Sequence, residues 1–330
     1  MKKPSLSSLV LATLAYSDVF QYPLTEQELH QRLIGFFPEV NLKKINQTAK
    51  QIPQMTKIEQ FWTLKGREQV VLIRQDREHI SNFKLAELDT LISRLKKIAT
   101  ISSVYVTGSL AMQNVRSLAD DIDLLIVTKP GTLWLTRVVV VLWTSLIGKY
   151  RLHGSSGEWG WCFNLWLDQN HLQVPKEDRS VYTAYEVVQA QLMLGTQNEL
   201  LSANQWVNEY INYPVKAEKS KDYETRMKGN GEILNLKILS SFILLLVVVV
   251  ELVSYLAQRL YMQPKRSREK VGRGFAFFHP RDTKNLILKK WQQKLEELGM
   301  SKTEREGLVQ LFEEGCQLNR KFLDHQILEK

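Results

Sequence analysis

The sequence predicts an α+β protein in which a central β-sheet follows one helical region and precedes another. Two short runs rich in β-branched residues, Val104–Val106 and Ile122–Val127, are too short for helices and predict buried strands. Long stretches of helical apolar spacing flank them. With 330 residues, the chain is long enough for two or three domains. We expect domains at residues 1–76, 77–180 and 181–330.

Composition and charge narrow the class of protein. A hydrophobic content of 44% is ordinary for a globular chain. Its two cysteines, Cys162 and Cys316, have neither disulfide nor metal-site spacing, which favours a reducing, cytoplasmic setting. The net charge is +9, yet residues 101–200 hold 7 basic and 9 acidic side chains. Basic flanks around an acidic segment suit a polyanionic partner, although a lysine excess also serves solubility alone.

The first domain is predicted to hold three short helices and a hairpin. A helix spans residues 5–17, Thr25 and Glu28 form a capping box for the second, and Asn41 caps the third. Lys65-Gly66-Arg67 indicates a hairpin turn between strands at 58–64 and 69–73. This order resembles a winged helix, which implies DNA binding or docking. The third helix carries three lysines that suit phosphate contacts: Lys43, Lys44 and Lys50.

Two motifs in the central domain carry the chemistry. A helix at Arg77–Ile98 leads to the first strand, which ends in Gly108-Ser109 before a short helix at 110–115. Gly108 lets the backbone approach a ligand closely, and the following N–H groups suit an anion. Asp121 and Asp123 lie two apart on the second strand, so they share one face, whereas Asp120 faces away. Paired carboxylates beside a phosphate cradle suit Mg²⁺ and a triphosphate.

Gly108-Ser109 followed by Asp121-x-Asp123 resembles the signature of the nucleotidyltransferase superfamily, whose fold is that of DNA polymerase β, and especially its minimal and aminoglycoside-type members. The resemblance implies that Gly108 and Ser109 hold the β,γ-phosphates of an NTP such as ATP, and that Asp121 and Asp123 bind Mg²⁺. Family sequences often carry a basic residue after Gly-Ser. Here Ala111-Met112 stand there, and Arg116 is the candidate replacement.

The resemblance also implies a third carboxylate on a third strand, which accepts the proton of the acceptor hydroxyl. Leu133–Ile147 is predicted as a crossover helix and Trp161–Asp168 as that strand. Strand alternation places Cys162, Asn164, Trp166 and Asp168 on one face. Asp168 is therefore the candidate catalytic acid, with replacement by Asn164 as the alternative and Glu158 a weaker one. If no acid lies there, the chain is instead an inactive binding or regulatory protein on the same fold.

The last region is predicted to be helical. Residues 182–210 follow the sheet, and Tyr182, Tyr185 and Glu186 are candidates to face the cleft. A long helix at 233–262 is predicted to be buried or to form a homodimer, with membrane association as the alternative because residues 238–250 are uncharged. A basic run, 264–270, follows it and suits triphosphate, RNA or an anionic membrane. Two further helices are expected at 283–298 and 303–328. The hydroxyl acceptor is not evident.

Overall fold

A computed structural model describes residues 4–35, 40–148, 160–213, 234–262, 270–277 and 283–315. The α+β class is confirmed, because helices surround a six-stranded sheet and a separate three-stranded sheet. The domain boundaries at residues 76 and 180 stay predictions. Three segments named above lie outside the described residues: Glu158, most of the 264–270 basic run, and the chain beyond residue 315.

The N-terminal part contains three helices and three short strands. Its elements are α1 (Leu6–Asp18), β1 (Leu24–Thr25), α2 (Glu26–Gln31), α3 (Leu42–Gln51), β2 (Met55–Ile58) and β3 (Phe61–Leu64). The strands form an antiparallel sheet in the order β1-β3-β2. The capping box of α2 is confirmed, since the Thr25 hydroxyl accepts from the Glu28 N–H at 3.2 Å and Glu28 accepts from the Thr25 N–H at 2.8 Å.

The predicted hairpin was wrong in position. Its turn lies at Glu59, which adopts a φ of +51°, and not at Gly66. The expected second strand at 69–73 is instead the start of α4 (Val70–Leu95). A run of β-branched residues favours a strand locally, but packing of the helix against the rest of the chain decides between the two. The helix predicted at Arg77–Ile98 therefore begins earlier than expected.

The central sheet has the strand order β7-β4-β5-β6-β9-β8. Only β5 and β6 pair in parallel, and the other neighbours are antiparallel. Its elements are β4 (Ile101–Val106), α5 (Gly108–Ala111), β5 (Ile122–Thr128), α6 (Leu133–Leu146), β6 (Trp161–Asp168), α7 (Val181–Gln189), β7 (Gln191–Leu194), α8 (Glu199–Ala203), α9 (Leu234–Met262), β8 (Lys270–Val271), β9 (Phe275–Phe277), α10 (Thr283–Glu297) and α11 (Lys302–Glu314). The crossover helix and third strand are confirmed. The expectation of helices throughout 182–210 was wrong at β7.

Each face of this sheet has its own core. On one face, Tyr105, Leu125 and Val127 join a cluster that includes α7, α10, α11 and the N-terminal helices. On the other face, the alternate strand positions pack with side chains of α4 and α6; they are Val104, Val106, Ile122, Leu124 and Ile126. Asp121 and Asp123 share the alternation of Leu125 and Val127, so they lie on the α7 face of the sheet.

The long helix predicted at 233–262 is present as α9, which packs against α6. The carboxylate of Glu251 accepts from the backbone N–H groups of Trp134 and Leu135 at 2.9 and 2.7 Å, so it caps the start of α6. Across the described parts of the chain, no helix combines the length and apolar character needed to cross a membrane.

Candidate active site

The Gly108 turn is pressed against a carboxylate. Gly108 adopts a φ of +64°, in the left-handed region that favours glycine. A Cβ atom there would lie 2.7 Å from Oδ2 of Asp123, closer than real side chains come. The Thr107 N–H just before it donates to the Asp123 carbonyl at 3.0 Å. Gly108 is therefore required on two counts, backbone conformation and close approach, and Ser109 follows it in the first turn of α5.

Asp123 is a partly buried carboxylate with little compensation for its charge. Its Oδ1 accepts one hydrogen bond from the Asn164 side-chain amide at 2.7 Å. Burial, followed by the negative charge of Asp121, raises its pKa to about 6, and the amide offsets only part of this shift. The site thus holds a carboxylate whose ionisation is opposed by its surroundings, which is a common property of functional sites.

The other two acidic residues of this cluster have separate roles. Asp121 accepts from the Gly160 N–H at 3.2 Å, so its carboxylate lies where β6 begins. Asp120 instead closes its own loop, accepting from the Arg116 N–H at 2.9 Å and the Ser117 hydroxyl at 3.1 Å. The structure therefore brings Asp121 and Asp123 together and directs the Asp120 carboxylate into the preceding loop.

A β-bulge decides which residues of β6 reach the site. Asp123 pairs with Cys162, but Leu125 pairs with Leu165, so β6 contains one extra residue between these pairs. Asn164 consequently bonds both Asp123 and the Cys162 thiol, the latter at 2.8 Å. Beyond the bulge Trp166 belongs to the core on the opposite face. The expected single face of Cys162, Asn164, Trp166 and Asp168 was wrong for this reason.

Asp168, the candidate third acid, is not brought to the carboxylate pair. It pairs with Thr128, five residues beyond Asp123 on β5, which is roughly 16 Å along the strand. There its Oδ1 lies 2.6 Å from Nδ1 of His171 and accepts from the Asn170 N–H at 3.0 Å. Of the two alternatives for the third strand, Asn164 is therefore the residue beside Asp123.

The third carboxylate near the pair belongs to Glu186 on α7. Burial, followed by the negative charge of Asp123, raises its pKa to about 7, and a hydrogen bond with Tyr182 opposes this shift. The negative charge of Glu186 in turn helps raise the pKa of Tyr182. Tyr185 faces the core instead, where its hydroxyl donates to the Arg32 carbonyl and its ring lies 4.8 Å from that of Tyr16.

Two basic side chains lie near the acidic loop. Lys84 of α4 is almost fully buried, and its Nζ donates to the Asp120 carbonyl at 2.5 Å. Burial lowers its pKa, while Asp120, Glu87 and Asp121 oppose that shift. Arg116 is exposed in the same loop, where its backbone N–H donates to the Asp120 carboxylate. Its proposed phosphate contact stays a prediction.

Sequence reasoning overlooked Lys84, although a signal was present. From Arg74 onward, the buried positions of α4 follow helical spacing and are first polar and then apolar: Arg74, Arg77, Ser81, Lys84, Leu88, Leu91 and Leu95. A lysine at a buried helical phase is expensive unless its ammonium group is hydrogen-bonded, so it marks a polar partner on the neighbouring segment. That partner is the loop that leads into Asp121.

The oxygen donors of this cluster are of the kind that a hard cation prefers, but they are too few to surround one by themselves. Within the described ranges, no group of three or more histidine, cysteine or acidic residues is close enough to hold a metal ion. Mg²⁺ commonly takes only one or two carboxylates from protein and completes its shell with water and substrate phosphates. Asp121 and Asp123 match that requirement.

Comparisons of this chain with protein-family models, with curated proteins and with solved structures found no significant match.

Proposed function

We propose that this protein transfers a nucleotidyl group from an NTP to an acceptor hydroxyl and releases pyrophosphate. The observation that carries the proposal is the contact between Gly108 and the Asp123 carboxylate, which joins the Gly-Ser turn directly to the acidic pair. The Gly-Ser turn, which suits a phosphate, and the acidic pair, which suits Mg²⁺, are then parts of one site. Electrostatic stabilisation and positioning of this kind supply most of the rate in phosphoryl transfer.

Asp121 and Asp123 would hold the magnesium ion. Their carboxylates are hard oxygen donors, and their mutual repulsion, which raises the pKa of Asp123, would be relieved by a cation. When bound, Mg²⁺ would supply neutralisation of the phosphate charge. Asn164 orients Asp123 through its amide, and the Gly160 N–H holds Asp121.

Glu186 would be the proton acceptor in place of Asp168. As the acceptor oxygen bonds to the α-phosphorus, the bond to the pyrophosphate oxygen breaks and the hydroxyl proton passes to the Glu186 carboxylate. A general base works best when its pKa lies near the operating pH, and that of Glu186 is about 7. Tyr182 would keep its side chain in place through their hydrogen bond.

Incubation of the purified chain with each α-labelled NTP, Mg²⁺ or Mn²⁺ and a fractionated cell extract tests this proposal. We expect transfer of label to an extract component, with loss of transfer in Asp121→Ala and in Asp123→Ala. Asp89→Asn, at an exposed position of α4, is the matched control and should retain full transfer. Transfer that persists in both alanine variants would overturn the proposal.

A second candidate function is nucleic-acid binding through α3. In the N-terminal part, the order helix, strand, two helices and hairpin, with the sheet order β1-β3-β2, supports a winged-helix module. The sequence of α3 contains no acidic residue, and Lys43, Lys44 and Lys50 are all exposed. Such a surface suits backbone phosphates without specifying a sequence.

Fluorescence anisotropy with duplex DNA and with RNA at several salt concentrations separates the two functions. For Lys43→Gln/Lys44→Gln/Lys50→Gln we expect weaker binding and a salt slope reduced by about 0.9 for each phosphate contact removed. The control Lys96→Gln/Lys97→Gln/Lys302→Gln removes three exposed lysines elsewhere. Tight binding together with no transfer from any NTP would favour the binding protein over the enzyme.

A further inference from the structure

The outer surfaces of α6 and α9 form a broad apolar face, here called the α6–α9 face. Of the 17 large hydrophobic side chains exposed in the described parts of the chain, 12 lie on it. Four are in the span Val139–Ile147, and eight are on α9 between Leu246 and Leu260. Leu146 is the most exposed of them, at 86%. An apolar surface built by so many neighbouring side chains marks contact with another protein or with a membrane.

The width of this face favours a lipid surface over a second copy of the chain. With 3.6 residues in each turn, the exposed apolar positions of α9 from Leu246 to Leu260 cover an arc of roughly 200°. A helix that packs on one protein neighbour needs an apolar stripe of only about 100°. The part of the α9 circumference that is left to contact α6 and the sheet is smaller than this exposed apolar arc. A fluid apolar medium covers a surface of this shape without a complementary partner.

Three polar side chains of the two helices, Glu251, Arg137 and Gln258, make contacts between α6 and α9. Glu251 is the only charged residue in the segment 238–257. Its carboxylate is turned inward and caps α6 through the N–H groups of Trp134 and Leu135. Arg137 of α6 likewise donates to the side chain of Gln258 on α9. The charges of Glu251 and Arg137 are therefore used between the helices, whereas Arg259, near the C-terminal end of α9, is exposed.

A basic segment adjoins the apolar one. The sequence from Arg259 to Arg273 contains six basic residues and one acidic residue. Arg259 and Arg273 are exposed, and Lys270 is exposed but pairs with the carboxylate of Asp178 at 2.6 Å. An apolar helix face and a polybasic segment are the two features that together bind proteins stably to anionic membrane surfaces.

We propose that the α6–α9 face docks on an anionic lipid surface, with the apolar side chains entering the interface and the exposed side chains of Arg259 and Arg273 contacting lipid headgroups. The chain then lies on the membrane through α6 and α9 and does not cross it. This inference is independent of nucleotidyl transfer, because it uses neither the acidic cluster nor the Gly-Ser turn.

Flotation of the full-length chain with vesicles tests this docking. One set contains phosphatidylcholine with about 30% phosphatidylserine, enough to give an anionic surface, and the other phosphatidylcholine alone. We expect flotation with the anionic vesicles and a several-fold weaker signal with the neutral ones. The variant Val249→Gln/Leu252→Gln/Val253→Gln should lower vesicle binding by about tenfold or more.

The matched control is Leu72→Gln/Leu286→Gln, which changes two exposed leucines outside the α6–α9 face and should float as the parent does. All substituted side chains are exposed, so thermal unfolding should be unchanged and a binding loss is not a folding loss. Sedimentation velocity in the absence of lipid provides the opposing outcome. A dimer that the triple variant abolishes, with no flotation of the parent chain, would overturn the proposal in favour of a second copy.

Discussion

The strand pair β5–β6 holds a carboxylate against a glycine at each of its ends, and the two ends differ. Near the start of the pair, a Cβ on Gly108 would lie 2.7 Å from Asp123. Near its far end, a Cβ on Gly274 would lie 2.1 Å from Nδ1 of His171 and 2.7 Å from Oδ2 of Asp168. Gly108 therefore makes room for an acid alone, whereas Gly274 makes room for an acid together with its histidine. The surroundings of each acid distinguish a carboxylate that is already satisfied from one that is available.

Asp168 is satisfied by local partners, because the His171 ring and the Asn170 N–H both reach the same carboxylate oxygen. Asp123 receives one amide hydrogen bond and lies near the negative charges of Asp121 and Glu186. Holding carboxylates near each other costs stability, and proteins tolerate that cost where a cation or a proton is to be bound. Like charge held close together, more than the presence of an acid on a strand, therefore marks the end of the strand pair that we propose to be reactive.

The largest expected effect separates the two ends directly. Asp123→Asn should reduce nucleotidyl transfer by about 10³-fold or more, because it removes a negatively charged oxygen donor from the proposed cation site. Asp168→Asn should change the rate by less than about threefold, since its position is remote from the reacting atoms. Initial rates with the preferred NTP measure both. Equal losses would remove the distinction between the ends.

The next effect concerns the third acid. Glu186→Gln should lower kcat by about 10²-fold, the usual contribution of a general base, with little change in KM for the NTP. The acidic limb of the pH profile of kcat, expected near pH 7 in the parent, should disappear in the variant. A Glu186→Gln enzyme with the parent pH profile would contradict the role given to this residue.

A smaller effect is expected from filling the space at the first glycine. Gly108→Ala places a Cβ against Asp123 and forces alanine to a φ of +64°. We expect about 1–2 kcal/mol of lost stability from the backbone alone, and a transfer rate lowered by at least about tenfold because Asp123 moves. Gly66→Ala is the control, since Gly66 has a φ of +83° but nothing within 4 Å of its Cβ position. Gly66→Ala should lose a similar amount of stability and keep the transfer rate of the parent.

The last prediction concerns the folding stability of the chain as a function of pH and not its activity. The pKa of Glu186 is raised in the folded chain, so the folded state binds more protons than the unfolded state between about pH 4.5 and 7. The contribution of Glu186 to stability therefore falls as pH rises through that window. In EDTA, Glu186→Gln should be more stable than the parent by about 3 kcal/mol at pH 8 and by less than about 1 kcal/mol at pH 5, since a pKa difference of one unit corresponds to about 1.4 kcal/mol.

Urea unfolding of both proteins at the two pH values measures this difference, and other titrating groups cancel in the comparison. A variant less stable than the parent at pH 8 would show that the Glu186 carboxylate is a stabilising partner there. Glu78→Gln removes the charge of a different acidic residue, which pairs with Nε of Arg74 at 2.8 Å. It provides a contrast in which the removed carboxylate is paired and its loss destabilises.

Much of the fold follows from local patterns. The third strand was predicted as Trp161–Asp168 and has those bounds, because a continuous apolar run between polar segments is typical of a central strand. The capping box at Thr25 also follows from residue types alone. The strands β7, β8 and β9 do not, since each has only two to four residues and exists because a sheet edge pairs with it.

The candidate site was predictable in part. Gly108, Ser109, Asp121 and Asp123 are close in sequence, so strand geometry is enough to bring them together. Glu186 belongs to a helix more than 60 residues away, and its approach to Asp123 depends on how α7 packs on the sheet. Only side-chain periodicity pointed to Asp168, and that periodicity is interrupted in the middle of the strand.

The extra residue in β6 reverses which sequence positions of the strand point to each face of the sheet. Before the extra residue, Cys162 is presented to the acidic cluster; after it, Leu165 and Leu167 are presented to the core of that same face. Asn164 is the inserted residue, so it does not follow the in–out alternation of the strand on either side of it. Its side chain is directed at Asp123, and its polar amide is therefore not placed in either apolar core. Deleting one residue here would leave the strand apolar and β-forming, yet would exchange the two faces for everything that follows.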